Sequence, residues 1–304
     1  MAALGVLCAG PPAGAQTAIP LRVVTSPTDT GAQVYYALDQ GFFKKAGFDV
    51  EVSAINSGAA TATAVSGGTY DIGQTSVAAL AISHDKGIPF VIIAPGAEYT
   101  SKTPTSELLV PAASPIHTAA DLAGKTIAVV GIKGLTQLAV QAWLEQNHVS
   151  STSVKFVEMT FVEMPAALTT NRIDAAFVAE PALDRARQGG ARIIGHPYDA
   201  VASNFLVGAW FVTQDYAAAH QDIIRRFAAV IAEASRWANA HRDESARILE
   251  KYMKLAVSPT MVRVAYAERL LPADVQPSID LYVKFGLIEK TFPARDLLDV
   301  GPSR

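Results

Sequence analysis

Cysteine is nearly absent: the 304 residues hold one, Cys8, ahead of the first expected strand. The folded region therefore has no intramolecular disulfide and no thiolate chemistry. Charge is sparse as well, at 17% of residues with a net of -3, and Lys and Arg are scattered rather than clustered. Without a basic stripe there is no electrostatic footprint for nucleic acid or for an acidic membrane surface. Long apolar runs are missing too. The stretches Phe90–Ala94 and Thr126–Val130 fall far short of the roughly 20 residues that a membrane span needs.

Catalytic and cofactor signatures are equally scarce. The six histidines, at 84, 117, 148, 196, 220 and 241, share no ligand spacing with one another or with cysteine, which argues against a bound metal. No Gly-x-Ser-x-Gly turn presents a serine nucleophile. Ala119-Ala-Asp-Leu-Ala-Gly-Lys-Thr126 imitates the end of a phosphate-binding loop. Ala119 stands where glycine is required, however, and the strand follows the Gly-Lys-Thr instead of preceding it. No metal, no cofactor and no catalytic residue is expected.

What the chain does have is apolar mass in a repeating order. Half of its residues are hydrophobic, enough for one large or two medium cores. Short buried strands alternate with helices: a strand at Leu21–Val24, a helix over 32–40, a strand over 48–55, a helix to Gly67, a strand at Tyr70–Gly73, a helix over 76–86 and a strand over 90–94. Such alternation calls for a largely parallel sheet with helices on both faces. The order restarts at Ile127–Val130 after a crossover at Ser106–Val110, continues through strands at 154–157, 173–178 and 192–195, and returns over Phe205–Val212. Only helices are expected beyond that point. The longest, over 222–240, carries Ile223, Phe227, Val230, Ile231, Ala234 and Trp237 as its apolar stripe.

Ahead of these elements, the small apolar residues Ala2–Gly10, then Pro11-Pro12 and Ala13-Gly-Ala15, read as the end of an export signal cleaved before Gln16. Leu7 is too large for the small residue that a lipoprotein site needs before its cysteine. An exported, unanchored protein is the expectation.

Two segments are altered copies of one pattern: Gly68-Thr-Tyr-Asp-Ile-Gly-Gln-Thr-Ser76 and Asn171-Arg-Ile-Asp-Ala-Ala-Phe-Val-Ala-Glu-Pro181. Each ends a helix, turns on a residue that tolerates positive φ, enters a buried strand and stops at a polar loop. Open α/β sheets bind ligands beyond the carboxyl ends of their strands, so these loops form the candidate site. Asn56, Ser57, Gly58 and Ala59 in one half, and Gly134, Leu135 and Thr136 in the other, open helices whose N–H groups favour an anionic group. Gln74, Thr75, Ser76 and Glu180 follow strands. Ser57, Thr75 and Ser76 serve as helix caps, as ligand contacts or as both. Glu180 either caps the next helix or reaches the ligand, and Lys133 is either a solvated loop residue or the cation that meets a carboxylate or sulfonate.

Four segments together carry a family resemblance. They are Ala37-Leu-Asp-Gln-Gly-Phe-Phe-Lys-Lys-Ala-Gly-Phe-Asp-Val-Glu-Val52, Gly67-Gly-Thr-Tyr-Asp-Ile-Gly73, Ala120-Asp-Leu-Ala-Gly-Lys-Thr-Ile-Ala-Val129, and Met164-Pro-Ala-Ala-Leu168 with Ile173-Asp-Ala-Ala-Phe-Val-Ala-Glu-Pro181. In order and spacing they resemble the periplasmic solute-binding proteins of ABC importers for nitrate, taurine, aliphatic sulfonates and the thiamine pyrimidine precursor. The resemblance implies a bilobed α/β periplasmic-binding-protein fold of type II, its lobes joined by two hinge strands. Residues 1–15 would then be a signal remnant, 17–105 with 207–304 the first lobe, and 106–206 the second. Thr28, Asp29 and Gln33 join the ligand contacts on the same ground, and Tyr35, Tyr36, Tyr99, Phe205 and Trp210 are candidates for an aromatic wall or for core packing. The implied function is capture of a small organic anion, a sulfonate or carboxylate, by a monomer that delivers it to an ABC permease and changes no bond. Two alternatives stay open: a neutral pyrimidine-type ligand, and a cofactor-independent enzyme on the same fold. Asn171 stands where the family has glycine, which asparagine's tolerance of positive φ permits.

Overall fold

The computed structural model describes residues 18–254 and 257–298; the export-signal reading of residues 1–15, and Cys8 with it, lies outside them. The chain opens with β1 (Ile19–Thr25), α1 (Gln33–Asp39), α2 (Phe42–Lys45), β2 (Phe48–Ala54), α3 (Gly58–Ser66), β3 (Ile72–Ser76), α4 (Val77–Asp85) and β4 (Phe90–Pro95). Next come β5 (Ala97–Thr100), β6 (Ser106–Val110), β7 (Thr126–Val129), α5 (Leu135–Gln146), β8 (Lys155–Glu158), α6 (Met164–Thr169), β9 (Ala175–Ala179), α7 (Ala182–Gln188) and β10 (Arg192–Gly195). The last part runs through β11 (Asn204–Leu206), β12 (Gly208–Thr213), α8 (Gln214–Ala219), α9 (Gln221–Ala240), α10 (Arg242–Met253), β13 (Ala265–Tyr266) and α11 (Pro272–Lys284).

Two five-stranded sheets result, and they share one order: β2-β1-β3-β12-β4 in the first lobe and β8-β7-β9-β6-β10 in the second. Four strands of each run the same way, joined by helical crossovers, and three of them pair directly in parallel. The remaining strand, β12 or β6, enters from the hinge and runs antiparallel between its neighbours. A third, small sheet β11-β5-β13 joins the lobes. In it β5 carries the chain out and β11 carries it back, paired antiparallel from Asn204 opposite Thr100 to Leu206 opposite Glu98. This is the bilobed α/β fold with two hinge strands that the family resemblance implies.

Several local expectations are corrected. Ser106–Val110 is not the crossover: all five residues are buried, as an interior strand of the second sheet, and the crossing is made earlier, by β5. The return segment is two strands, not one, because Gly96 and Gly208 meet at the hinge. A Cβ on Gly96 would lie 2.4 Å from the Gly208 carbonyl oxygen, and a Cβ on Gly208 2.4 Å from Gln74 Nε2. Helices are not all that follow, since β13 pairs with β5. On α9 the buried stripe is Ile224, Phe227, Val230, Ile231, Ala234 and Ala238, with Ile223 and Trp237 only partly covered. Four of the six expected positions, Phe227, Val230, Ile231 and Ala234, lie in the buried stripe, which differs only at its ends, where Ile224 and Ala238 replace Ile223 and Trp237. Asn171 does adopt positive φ, at 54°.

The first lobe's core gathers Tyr36, Phe43, Trp210 and Phe227 beneath α9. At the hinge, Tyr99, Tyr198 and Phe205 form an edge-packed aromatic cluster. The C-terminal helix α11 lies against α4 of the first lobe, α5 of the second and β11 between them. It therefore braces the hinge.

Candidate ligand cleft

The strand-end loops of the two lobes form the candidate site, and each set holds one buried hydroxyl with no partner among the described residues; a third such hydroxyl, Ser278 Oγ, lies on α11. In the first lobe this is Thr75 Oγ1, on a residue 3% exposed. The sequence places Gln74, Thr75 and Ser76 beyond their strand, whereas in the structure they are its last residues. Pairing with β12, Trp210 opposite Gln74 and Ala209 opposite Thr75, extends β3 to Ser76. That extension is a tertiary effect with no local signal. Ser76 then caps α4, its Oγ accepting the Ala79 N–H at 3.2 Å. Ser57 caps α3 in the same manner, more loosely, at 3.4 Å from the Ala60 nitrogen. Gly58 opens α3 so close to Thr75 that a Cβ there would sit 2.5 Å from Thr75 Oγ1. Thr75 thus lies between the N-termini of two nine-residue helices. Asn56 and Ala59 are exposed beside it.

In the second lobe the unsatisfied hydroxyl is Thr136 Oγ1, on a residue 4% exposed in the first turn of α5. Gly134 is the N-cap and offers no side-chain acceptor, so the first N–H groups of this twelve-residue helix have neither an intrahelical partner nor a cap. Leu135 is buried behind them. Lys133, at φ 59°, is exposed at the rim, and its backbone N–H donates to Gln137 Oε1 at 2.7 Å. Two exposed apolar side chains, Ile132 and Val162, stand on the loops after β7 and β8. The first loop is pinned by its Ile132 N–H donating to Glu158 Oε2 at 3.2 Å.

Other expected contacts are taken up internally. Asp29 is fully buried and accepts from Arg263 at 2.9 and 3.0 Å, from the Val264 N–H at 3.1 Å and from Tyr36 and Tyr266 at 3.2 and 3.1 Å. Gln33 donates to Ser235 at 2.6 Å and to the Pro95 carbonyl at 3.3 Å, and accepts from the Trp210 indole at 2.7 Å. Phe205 is enclosed in the hinge cluster, and Tyr35, Tyr36, Tyr99 and Trp210 are buried as well. No aromatic wall forms from them, because apolar burial claims all five rings. Thr28 is half-buried in a hydroxyl chain with Ser26 and Thr30. Gln74 Oε1 accepts from the Ser26 hydroxyl at 3.0 Å, which fixes the first loop against β3.

Glu180 is the most perturbed acid on this side of the molecule. It is 2% exposed, and burial, with the charges of Asp184 and Asp29, pushes its carboxyl up to about 7. Two backbone N–H groups hold it, Asp184 at 3.0 Å and Val262 at 3.3 Å, and act in the opposite sense. The partners around Arg263 were missed by sequence reasoning. Their signal was available: Met261-Val-Arg-Val-Ala-Tyr266 is a short apolar run that holds one arginine, and a charge in such a run calls for a partner.

Against this geometry stand the relatives. Residues 30–245 match the family described as NMT1/THI5 like. The chain belongs to that family. It is 27% identical over 218 residues to the taurine-binding periplasmic protein of Escherichia coli (strain K12), an alignment that covers 72% of this chain and 66% of that one. It thus spans just under two thirds of that relative's length. The solved periplasmic aliphatic sulphonate binding protein SsuA from Escherichia coli superposes with a TM-score of 0.73 at 21% identity, over 92% of this chain and 97% of the other. The desulfurization enzyme DSZB has the same fold, at TM-score 0.69 and 14% identity, over 92% of this chain and 96% of that one. Those two likenesses speak to fold alone. Among the described residues no helix is long and apolar enough to cross a membrane, and no cluster of three or more His, Cys, Asp or Glu could hold a metal ion.

Proposed function

We propose that this chain is an exported solute-binding protein that captures a small organic anion, a sulfonate or carboxylate, between its lobes and presents it to an ABC permease. The observation that carries the reading is the pair of buried, unpartnered hydroxyls, Thr75 and Thr136, one per lobe at helix N-termini. A buried polar group with no partner costs about 1–3 kcal/mol. That cost is recovered when an anion accepts from both hydroxyls and from the neighbouring N–H groups, whose helix ends favour negative charge. A ligand that touches both lobes binds the closed form better than the open one and so shifts the balance between them. Micromolar affinity requires about 8 kcal/mol, which a few charge-assisted hydrogen bonds and some buried apolar area supply. The exposed Ile132 and Val162 favour a ligand with an apolar portion over a bare inorganic anion.

The relatives support this reading through the binding roles in their names; the enzyme of the same fold makes catalysis the rival to exclude. A thermal-shift panel on purified protein should contain taurine, short alkanesulfonates, carboxylates, nitrate and a neutral pyrimidine. Binding to the native state alone raises the melting temperature. An organic sulfonate or carboxylate should give the largest rise, and overnight incubation with it should return it unchanged. Preference for the neutral pyrimidine, or appearance of product, overturns the proposal.

A further inference from the structure

Beyond ligand capture, the segment Thr260–Val264 joins the two lobes through acids on each of them. On the second lobe it reaches the start of α7, where the Thr260 hydroxyl donates to Asp184 Oδ1 at 2.7 Å and the Val262 N–H to Glu180 Oε1 at 3.3 Å. On the first lobe it reaches the loop after β1, where Arg263 and the Val264 N–H hold Asp29. All three acids are at least nine-tenths buried. The segment spans five residues, which limits its reach to roughly 17 Å even when fully extended. Asp29 and Glu180 both follow sheet strands on the strand-end side of their lobes, so a short tether between them holds those sides together.

Packing anchors this tether in the first lobe's core, where Met261 and Val264 are buried. One flank borders a recess of about 540 Å³, lined also by Thr103, Arg242 and Ala246, and Thr260 itself is exposed. Its grip on the second lobe is therefore chiefly its hydrogen bonds.

We infer that Thr260–Val264 is a clasp between the lobes: its bonds to Glu180 and Asp184 favour the approached arrangement before any ligand arrives. The hinge strands permit rotation, and the clasp sets its resting point. The clasp acts in the ligand-free protein, independently of the function proposed above.

Spin labels on the far ends of α3 and α5, through Ser66→Cys and Gln146→Cys in a Cys8→Ser background, report the distance between lobes by pulsed electron paramagnetic resonance. Thr260→Val keeps the shape and removes the hydroxyl donor. The longer-distance population of the ligand-free protein should then rise roughly fivefold, the factor set by one hydrogen bond of ordinary strength. Thr260→Ser should restore the original distribution. Joining the same two positions through Asp184→Cys with Thr260→Cys, oxidised, should narrow it further. Because Thr260 is exposed, the fold should survive, and circular dichroism checks that it does. A folded Thr260→Val variant whose distances match the parent, or an oxidised pair that leaves the spread unchanged, overturns the clasp.

Discussion

The two lobes share a strand order and differ in what they place at the strand ends. In the first lobe, serine caps close α3 and α4, and Thr75 lies between them with its hydroxyl unspent. In the second, α5 opens on an uncapped glycine, the start of α7 is already occupied by Glu180, and the lip carries Ile132 and Val162. A scaffold repeated twice has been given a polar seat on one side and a partly apolar one on the other. The difference teaches that crossover topology fixes where the strand-end groups gather, while a few loop residues fix their chemistry, and on the proposed function that chemistry selects the ligand. The same asymmetry extends to acids: Asp29 on the first lobe is paired with an arginine, whereas Glu180 on the second has only backbone donors and a carboxylate neighbour.

That contrast between the acids can be broken directly. Asp29→Ala should destabilise the protein most, by about 3–5 kcal/mol, because it leaves Arg263 buried without its partner; urea unfolding measures it. A small loss there would mean that the pairing is not structural. Glu180 should behave differently. With its pKa raised to about 7, it holds a proton in the folded state between pH 4.5 and 7, where the unfolded chain has released it. Stability is therefore lost as pH rises through that window, by up to about 3 kcal/mol once pH exceeds 7. Glu180→Gln should flatten the slope of melting temperature against pH between 5 and 8, and an unchanged slope refutes the assignment.

The contrast between the seats is sharpened by affinity. Thr75→Val should weaken the ligand found in the panel by roughly tenfold or more, with little change in melting temperature, since the hydroxyl has no internal partner to lose. Isothermal titration of Thr136→Val should show a loss of roughly fivefold, being one donor near one helix end instead of two. Equal affinity for Thr136→Val and the parent would confine the ligand to the first lobe. Lys133→Ala, at the exposed rim, should cost least, about 1 kcal/mol or under and less at high salt.

Much of this was legible in the chain. The alternation of strands and helices, the recurrence of the Asp-Ile-Gly and Asp-Ala-Ala strand entries and the positive φ of Asn171 are local properties, and local sequence reports them. Ser57 and Ser76 were readable as caps for the same reason. Asp29 and Gln33 were assigned to the ligand because family position cannot see their partners, which lie more than 200 residues away in Arg263 and Ser235. The place of Thr75 was hidden too, because β12, arriving from the other end of the chain, is what lengthens β3.

The amino-acid sequence by itself determined the elements, their repeated order and the residues able to cap helices or turn the chain, since these depend on periodicity and on backbone preferences within a few positions. Tertiary structure alone decided which polar groups remain unspent. A carboxylate or hydroxyl is available to a ligand only when no donor or acceptor from a distant segment has reached it first. Here Arg263 reached Asp29, Val262 reached Glu180, and no other described residue reached the hydroxyl of Thr75 or Thr136.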